Sequence, residues 1–157
     1  MMRISYHLSV LSLLVLFTAC GSDISQDTDS PVSRISCAEL NGKTIAASLI
    51  GLSTSGATVT ESTIVAATAS GNSNGEYCKV KGKIAPSATA PAGTSNINFQ
   101  VNLPGQWNSR MLQMGGGGYN GTVVTGLDFV SMAWTLPPMG SPLAQGYATY
   151  GSDSGHV

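Results

Sequence analysis

Four consecutive glycines, residues 115–118, follow a short apolar run in the segment "RMLQMGGGGYNG". Residues without a side chain allow a backbone to bend sharply or to come very close to another group. The N–H groups of such a loop suit a phosphate, the oxygen of a reacting carbonyl, or another part of the chain. The other motifs, and the elements that position the loop, discriminate between these three partners.

Two patterns with catalytic or nucleotide-binding spacing lack the context that their chemistry requires. "GNSNG", residues 71–75, fits the G-x-S-x-G elbow, but Ser73 precedes a predicted strand instead of following one. "GGGYNG", residues 116–121, fits G-x-G-x-x-G, but positions 136–146 contain no Asp or Glu to bind a ribose. The sequence therefore predicts an ordinary loop around Ser73 and no dinucleotide site.

His156 and Asp153, in "SDSGHV", are the other candidates for catalytic or metal-binding chemistry. One His and one carboxylate are too few ligands to predict a metal site. A structural hydrogen bond at the end of a strand is the expected role of His156, and no cofactor is predicted for this chain.

Alternating strands are the clearest elements that position the glycines. In "EYCKVKGKIAP" and "INFQVNLP", apolar and polar residues alternate, and Pro86 and Pro104 close the two runs. The spacer between them fits a hairpin loop, so we expect an antiparallel pair. "MLQM" is expected to form a short buried strand that leads into the glycines. A short helix over residues 141–146 and a strand over "YATYGSD" are expected to follow.

This order of elements predicts the opening of an α/β sheet: an antiparallel pair, then a strand, the glycine loop, a helix and a strand. Upstream, Ser36 and Glu39 form a capping box for one helical turn that ends at Gly42. The stretch over residues 44–68 is poorly periodic and is expected to mix strand and loop.

The N-terminal residues have the anatomy of an export signal. Arg3 is followed by an apolar stretch, residues 8–19, which is shorter than the about 20 residues of a membrane span. "LFTAC" resembles a bacterial lipobox, which predicts a lipid on Cys20; the alternative is a plain secretory signal with an unrelated Cys. We expect residues 1–19 to be an export signal and residues 20–35 a flexible tether, with the protein periplasmic or at the cell surface.

Export makes a disulfide the expected state of the two remaining cysteines. With Cys20 lipidated, Cys37 and Cys78 form an even pair in an oxidising compartment, where free thiols are chemically exposed. A bridge would close a loop of about 40 residues and stabilise the fold by about 4 kcal/mol on the loop-entropy estimate. Two buried free thiols are the alternative.

Composition excludes some classes of partner. The 157 residues carry a formal net charge of −1 and only 10% charged residues, so no basic surface for nucleic acid is predicted. No apolar stretch after the signal is long enough to cross a membrane, which leaves the lipid anchor as the expected membrane contact. The length favours one folded domain.

Three segments, in this order and spacing, resemble the tannase and feruloyl esterase family: "YCKVKGKIAP", "INFQVNLPGQWNSRMLQMGGGGYNG" and "LAQGYATYGSDSGH". The pairing of an early Cys with the Cys of the "YC" strand is similar too. The resemblance runs from about Ser36 to the last residue. It implies an exported serine carboxylesterase with an α/β-hydrolase fold, acting on small-molecule esters of aromatic acids such as feruloyl or galloyl esters.

The resemblance also implies roles for particular residues. The Gly118 N–H would be one donor of the oxyanion hole, and Tyr119 would line the substrate pocket. The family's nucleophile, acid and base, and a lid with a calcium site, come later than the "DSGH" segment. We therefore expect residues 36–157 to be an N-terminal fragment of an α/β-hydrolase domain that is inactive alone.

A small exported β-rich lipoprotein with a binding or structural role is the alternative. It accounts for the export signal, the cysteine pair and the lack of a recognisable catalytic triad. It does not account for the order of the three matching segments.

Overall fold

The structure, a computed structural model, describes residues 35–118, 120–127 and 140–156. These residues belong to one compact unit, Arg34–Val157. The predicted export signal, Cys20 and Tyr119 lie outside the described residues and stay predictions.

The described residues form a mostly β structure with little helix. Its six strands make one sheet in the order β1-β2-β3-β4-β6-β5. Neighbouring strands are antiparallel except for β5 and β6, which are parallel. The strands are β1 (Thr44–Ile45), β2 (Thr54–Val65), β3 (Tyr77–Pro86), β4 (Ile97–Pro104), β5 (Met111–Gln113) and β6 (Ala148–Ser152), and two short 3₁₀ helices cover Ala38–Leu40 and Ala47–Leu49.

The two alternating sequences form the predicted antiparallel hairpin. β3 and β4 pair along their length, with Val80 opposite Val101, and both strands end at the predicted prolines. β2 extends the sheet on the other side of β3 with 12 residues, longer than its poor periodicity suggested. Thr, Val and Ile are frequent in β2, and such β-branched residues fit a pleated strand even where alternation is unclear.

The polar side of β4 is buried, although alternation alone does not say which side faces the core. Asn102 and Thr149 are fully buried, and the Asn102 side-chain amide donates to the Thr149 hydroxyl at 3.0 Å and to the Thr125 carbonyl at 2.7 Å. Gln100 donates to the Asn102 side-chain oxygen at 2.9 Å. The amides are satisfied because the segment over residues 122–127 crosses this side of the sheet and supplies a backbone acceptor.

The prediction that "MLQM" forms a buried strand is only half right. β5 is present, but Met111 is 65% exposed. The reason is the position of β5: within the described residues it is the outermost strand, paired on one side only with β6. A short apolar run does not distinguish an edge strand from a central one.

The prediction of a helix over residues 141–146 is wrong, because the segment forms a single tight turn. The Ala144 N–H donates to the Ser141 hydroxyl at 3.1 Å, as in a helix cap, and the Gly146 N–H donates to the Leu143 carbonyl at 3.0 Å. Gly146 then has a φ of +85° and directs the chain into β6. The distance along the chain from cap to strand is too short for a second turn.

The predicted capping box and disulfide are both present at the start of the described chain. The Ser36 N–H donates to the Glu39 carboxylate at 2.8 Å, and the Glu39 N–H donates to the Ser36 hydroxyl at 3.4 Å. Cys37 is bonded to Cys78 of β3, with 5.7 Å between their Cα atoms. The disulfide holds the first 3₁₀ helix against a buried cluster that includes Val80.

Removing this disulfide should lower the free energy of unfolding. The cysteines are 41 residues apart, so the loop-entropy estimate gives a loss of about 4 kcal/mol for Cys37→Ala/Cys78→Ala. Urea unfolding with and without reductant measures it, and reductant should have no effect on the double variant. Free thiols at both positions in protein folded under oxidising conditions, seen by non-reducing peptide mapping, would contradict the assignment.

Candidate functional site

The candidate site lies at the edge of the sheet where β5 and β6 end. The two strands are parallel, with Met111 opposite Ala148 and Gln113 opposite Tyr150, so their carboxyl ends reach the same edge. The four glycines of residues 115–118, here called the glycine loop, follow β5.

The glycine loop presents four backbone N–H groups at this edge. The Met114 N–H donates to the Tyr150 carbonyl at 2.7 Å and continues the pairing of β5 with β6 up to the loop. The Asn120 N–H donates to the Gly117 carbonyl at 3.2 Å and closes the loop with a turn. None of the four glycine N–H groups donates to another described residue, and all four glycines are exposed. They are available to an acceptor outside this part of the chain.

The four glycines differ in what they allow. A Cβ on Gly116 would collide with the Asn120 side chain, so this glycine makes room for that carboxamide. Gly118 has a φ of +60°, a conformation that costs other residues energy. Gly115 and Gly117 have no positive φ, and a Cβ on either would meet no described atom within 4 Å. Neither backbone conformation nor packing within the described residues explains why these two positions are glycine.

Asp153 fixes the turn that follows β6, beside the glycine loop. Its buried carboxylate accepts hydrogen bonds from the Asn98 N–H at 3.0 Å, the Asn98 side-chain amide at 2.6 Å and the Gly155 N–H at 2.9 Å. Burial raises the pKa of Asp153, but the hydrogen bonds from Asn98 and Gly155 outweigh it and hold the pKa below its usual value. Asp153 is therefore an ionised structural residue at neutral pH.

Ser73 and His156 lie at opposite ends of the sheet. Ser73 is in the exposed loop before β3, whereas His156 follows β6, which runs in the same direction as β3. Ser152, at the end of β6, lies at the same level of the sheet as Gly82. Gly82 is five residues beyond the start of β3, so the two ends are separated by about 16 Å at the usual rise per residue. The prediction that Ser73 belongs to an ordinary loop is confirmed.

His156 is held at the end of β6 by its backbone. Its N–H donates to the Asp153 carbonyl at 3.2 Å, and its own carbonyl lies 3.2 Å from where a Cβ on Gly121 would stand. The expected structural role at a strand end agrees with this position.

Sequence patterns did not single out Asn120, and they indicated Asp153 only as a candidate for catalytic or metal-binding chemistry. Asn120 and Asp153 bind segments more than 30 residues away, and such partners leave no local periodicity. Both residues nevertheless lie in turn-like strings, "YNG" and "SDSG", in which Asn and Asp commonly bond to nearby backbone.

Over residues 35–118, 120–127 and 140–156, no three His, Cys, Asp or Glu side chains cluster in a way that could hold a metal ion. The helices in that part of the chain are too short to span a bilayer.

Acid should destabilise the fold through Asp153. Its folded-state pKa is lowered, so its ionised form contributes stability above the unfolded pKa of about 4, and this contribution is lost as the pH falls below that value. Asp153→Asn should cost on the order of 1–3 kcal/mol at pH 7, because the charge-assisted hydrogen bonds weaken, and should flatten the pH dependence of stability below about pH 4.

Urea unfolding at several pH values, followed by circular dichroism, measures this. Glu61→Gln is the control, because Glu61 pairs with Lys81 and Lys79 at the surface and should change stability little. Equal stability of Asp153→Asn and the parent at pH 7 would show that the carboxylate has no such role.

Comparison with known proteins places the glycine loop and β6 within a recognised family. The model of the tannase and feruloyl esterase family matches residues 78–157. The chain is 46% identical over 121 residues to an uncharacterized esterase of Agrobacterium fabrum, a region that is 76% of this chain and 21% of that protein. It is 31% identical over 90 residues to mono(2-hydroxyethyl) terephthalate hydrolase of Piscinibacter sakaiensis, a region that is 57% of this chain and 14% of that protein.

The chain thus spans only a small part of the length of the curated relatives it matches. The matched residues nevertheless include most of the sheet and the whole candidate site. The resemblance found in the sequence is confirmed, and the chain belongs to the tannase and feruloyl esterase family.

Proposed function

We propose that this chain supplies the oxyanion-binding loop of an exported serine carboxylesterase that acts on esters of aromatic acids. Family membership supports ester hydrolysis in general. The observation that carries the more specific role is the glycine loop, whose four exposed glycines lie at the carboxyl edge of β5 and β6 and whose N–H groups donate to no described residue.

The chemistry of ester hydrolysis requires such donors. When a nucleophile attacks an ester carbonyl, the oxygen gains negative charge, and preorganised backbone N–H groups stabilise that charge. In this proposal the Gly118 N–H is one donor, and Tyr119, outside the described residues, lines the pocket beside it. Gly115 and Gly117 support the proposal. Neither conformation nor packing explains these glycines, and the missing side chains leave room for a ligand to approach the backbone.

The topology supports an α/β-hydrolase core. Counted from β3, the strand before the glycine loop is the third along the chain, and in α/β-hydrolases an oxyanion N–H comes from the loop after the third strand. The connection from β5 returns to a parallel strand, β6, as an α/β sheet requires. In this proposal residues 36–157 form the N-terminal part of that core.

Substrate class and location are inferred from the relatives and from the cysteines. One relative is named for the hydrolysis of mono(2-hydroxyethyl) terephthalate, which is an ester of an aromatic acid. We extend this class, including feruloyl and galloyl esters, to the protein that this chain belongs to. The Cys37–Cys78 disulfide is compatible with export, and lipidation of Cys20 would hold the protein at a membrane.

The lipoprotein alternative is less well supported. A binding or structural role would not require the match to an esterase family over residues 78–157. No described feature favours it over the esterase.

The 157-residue chain by itself should hydrolyse no ester. Serine esterases need a nucleophile and a base in hydrogen-bond reach, and Ser73 and His156 lie at opposite ends of the sheet. Turnover of p-nitrophenyl and feruloyl esters should equal that of buffer. Turnover that disappears in Ser73→Ala or His156→Ala would show that this argument is wrong.

The role of Gly118 is tested in a chimera in which this chain replaces its matching region of the Agrobacterium fabrum esterase, once the ester hydrolysis of the parent has been measured. Gly118→Val should lower kcat by about 100-fold with little change in KM, because a β-branched residue resists a φ of +60° and misplaces the N–H.

Gly71→Val is the matched control. Gly71 also has a positive φ, +76°, and a Cβ there meets no described atom within 4 Å, but it lies in the loop before β3. Its variant should retain the kcat of the chimera. Equal loss of activity in both variants would reduce the effect to backbone strain and refute a special role for Gly118.

A further inference from the structure

Asn120 connects the glycine loop to the turn after β6. Its side-chain amide donates to the Ser152 carbonyl at 2.7 Å and to the Ser154 hydroxyl at 3.1 Å. Its carboxamide occupies the space that a side chain at position 116 would need. Its φ is +65°, a left-handed conformation that Asn adopts more readily than most residues.

These contacts matter because the glycine loop has few of its own. The N–H groups of residues 115–118 make no hydrogen bond to described residues, and glycine has the largest conformational freedom of any residue. The loop is bounded by the Met114 N–H and by the Gly121 N–H, which donates to the Asp153 carbonyl at 3.3 Å. Between these two groups, the described hydrogen bonds that fix the loop all involve Asn120.

The acceptors of the Asn120 amide belong to the end of β6 and to the turn that follows it. Ser152 is the last residue of β6, and the Ser154 N–H donates to the Ser152 hydroxyl at 3.3 Å. Asp153, between them, is buried and bonded to Asn98 of β4. Asn120 therefore attaches the loop to a fixed point of the sheet.

We infer that Asn120 is the positioning residue of the glycine loop: its carboxamide orders the loop and sets the direction of the Gly118 N–H. The catalytic meaning of this assignment rests on the proposed oxyanion role of Gly118. The ordering of the loop by Asn120 does not depend on that role, so loop order and oxyanion binding are tested separately.

The ordering is tested by ¹⁵N relaxation on the 157-residue chain. In the parent, the amides of residues 115–118 should have order parameters near 0.85, as in rigid backbone, and in Asn120→Gly they should fall below about 0.6. Gly keeps the left-handed conformation but adds backbone freedom of its own, so the effect of the lost side-chain bonds is read from this variant together with Asn120→Asp. Asn120→Asp keeps the size but cannot donate to the Ser152 carbonyl, and it should loosen the loop as well.

Asn72→Gly is the matched control. The Asn72 amide donates to the carbonyls of Ala66 at 2.8 Å and Gly75 at 2.7 Å, but it orders the loop at the opposite end of the sheet. This variant should leave the order parameters of the glycine loop unchanged. A loop that is already mobile in the parent, or that stays rigid in both Asn120 variants, would overturn the inference.

The link to oxyanion binding is tested with methylphosphonate, a tetrahedral anion. Titration should shift the Gly118 amide resonance of the parent, and Asn120→Gly should raise the apparent Kd at least about fivefold, whereas Asn72→Gly should not change it. A parent whose glycine amides do not respond to the anion would refute the oxyanion role. The relaxation result would then still decide the role of Asn120.

Discussion

The parallel pairing of β5 with β6 is the constraint on which the candidate site depends. β6 lies between β4 and β5, so a strand late in the sequence separates two earlier ones. Because β5 and β6 run in the same direction, the glycine loop and the turn at Asp153 reach one edge together. The Met114 N–H and the Asn120 side-chain amide both donate across this edge to carbonyls of β6.

Buried amides keep β6 in this position. Asn102 of β4 bonds to Thr149 of β6 and to the Thr125 carbonyl of the segment that returns from the glycine loop. A buried donor or acceptor left without a partner costs about 1–3 kcal/mol. The Asn102 amide, the Thr149 hydroxyl and the Thr125 carbonyl therefore favour one arrangement of β6 and the returning segment. Gly151 allows the close approach, because a Cβ there would collide with the Val124 carbonyl. Just before this segment, the Gly121 N–H donates to the Asp153 carbonyl, beside the loop.

Strong alternation made β3 and β4 predictable, and their pairing followed from the short spacer. The insertion of β6 was not predictable, because its evidence is a set of hydrogen bonds between residues 47 positions apart, such as Asn102 and Thr149. The burial predicted for β5 was wrong because a three-residue strand carries no information on its neighbours. At the site, the four consecutive glycines are recognisable from the sequence, and the family resemblance indicates Gly118 among them. Asn120 became visible only through its partners after β6, since one Asn in a turn-like string is otherwise ordinary.

The role of the glycine loop is tested most sharply by the position of the Gly118 N–H relative to a bound oxyanion. This position can be measured in a crystal structure of the chimera, the Agrobacterium fabrum esterase whose matching region is replaced by this chain, after inactivation with diethyl p-nitrophenyl phosphate. The phosphoryl oxygen of the resulting adduct mimics the oxyanion of the reaction. We expect this oxygen to lie about 3 Å from the Gly118 nitrogen. A phosphoryl oxygen held only by other donors, with the Gly118 nitrogen more than about 4 Å away, would contradict it.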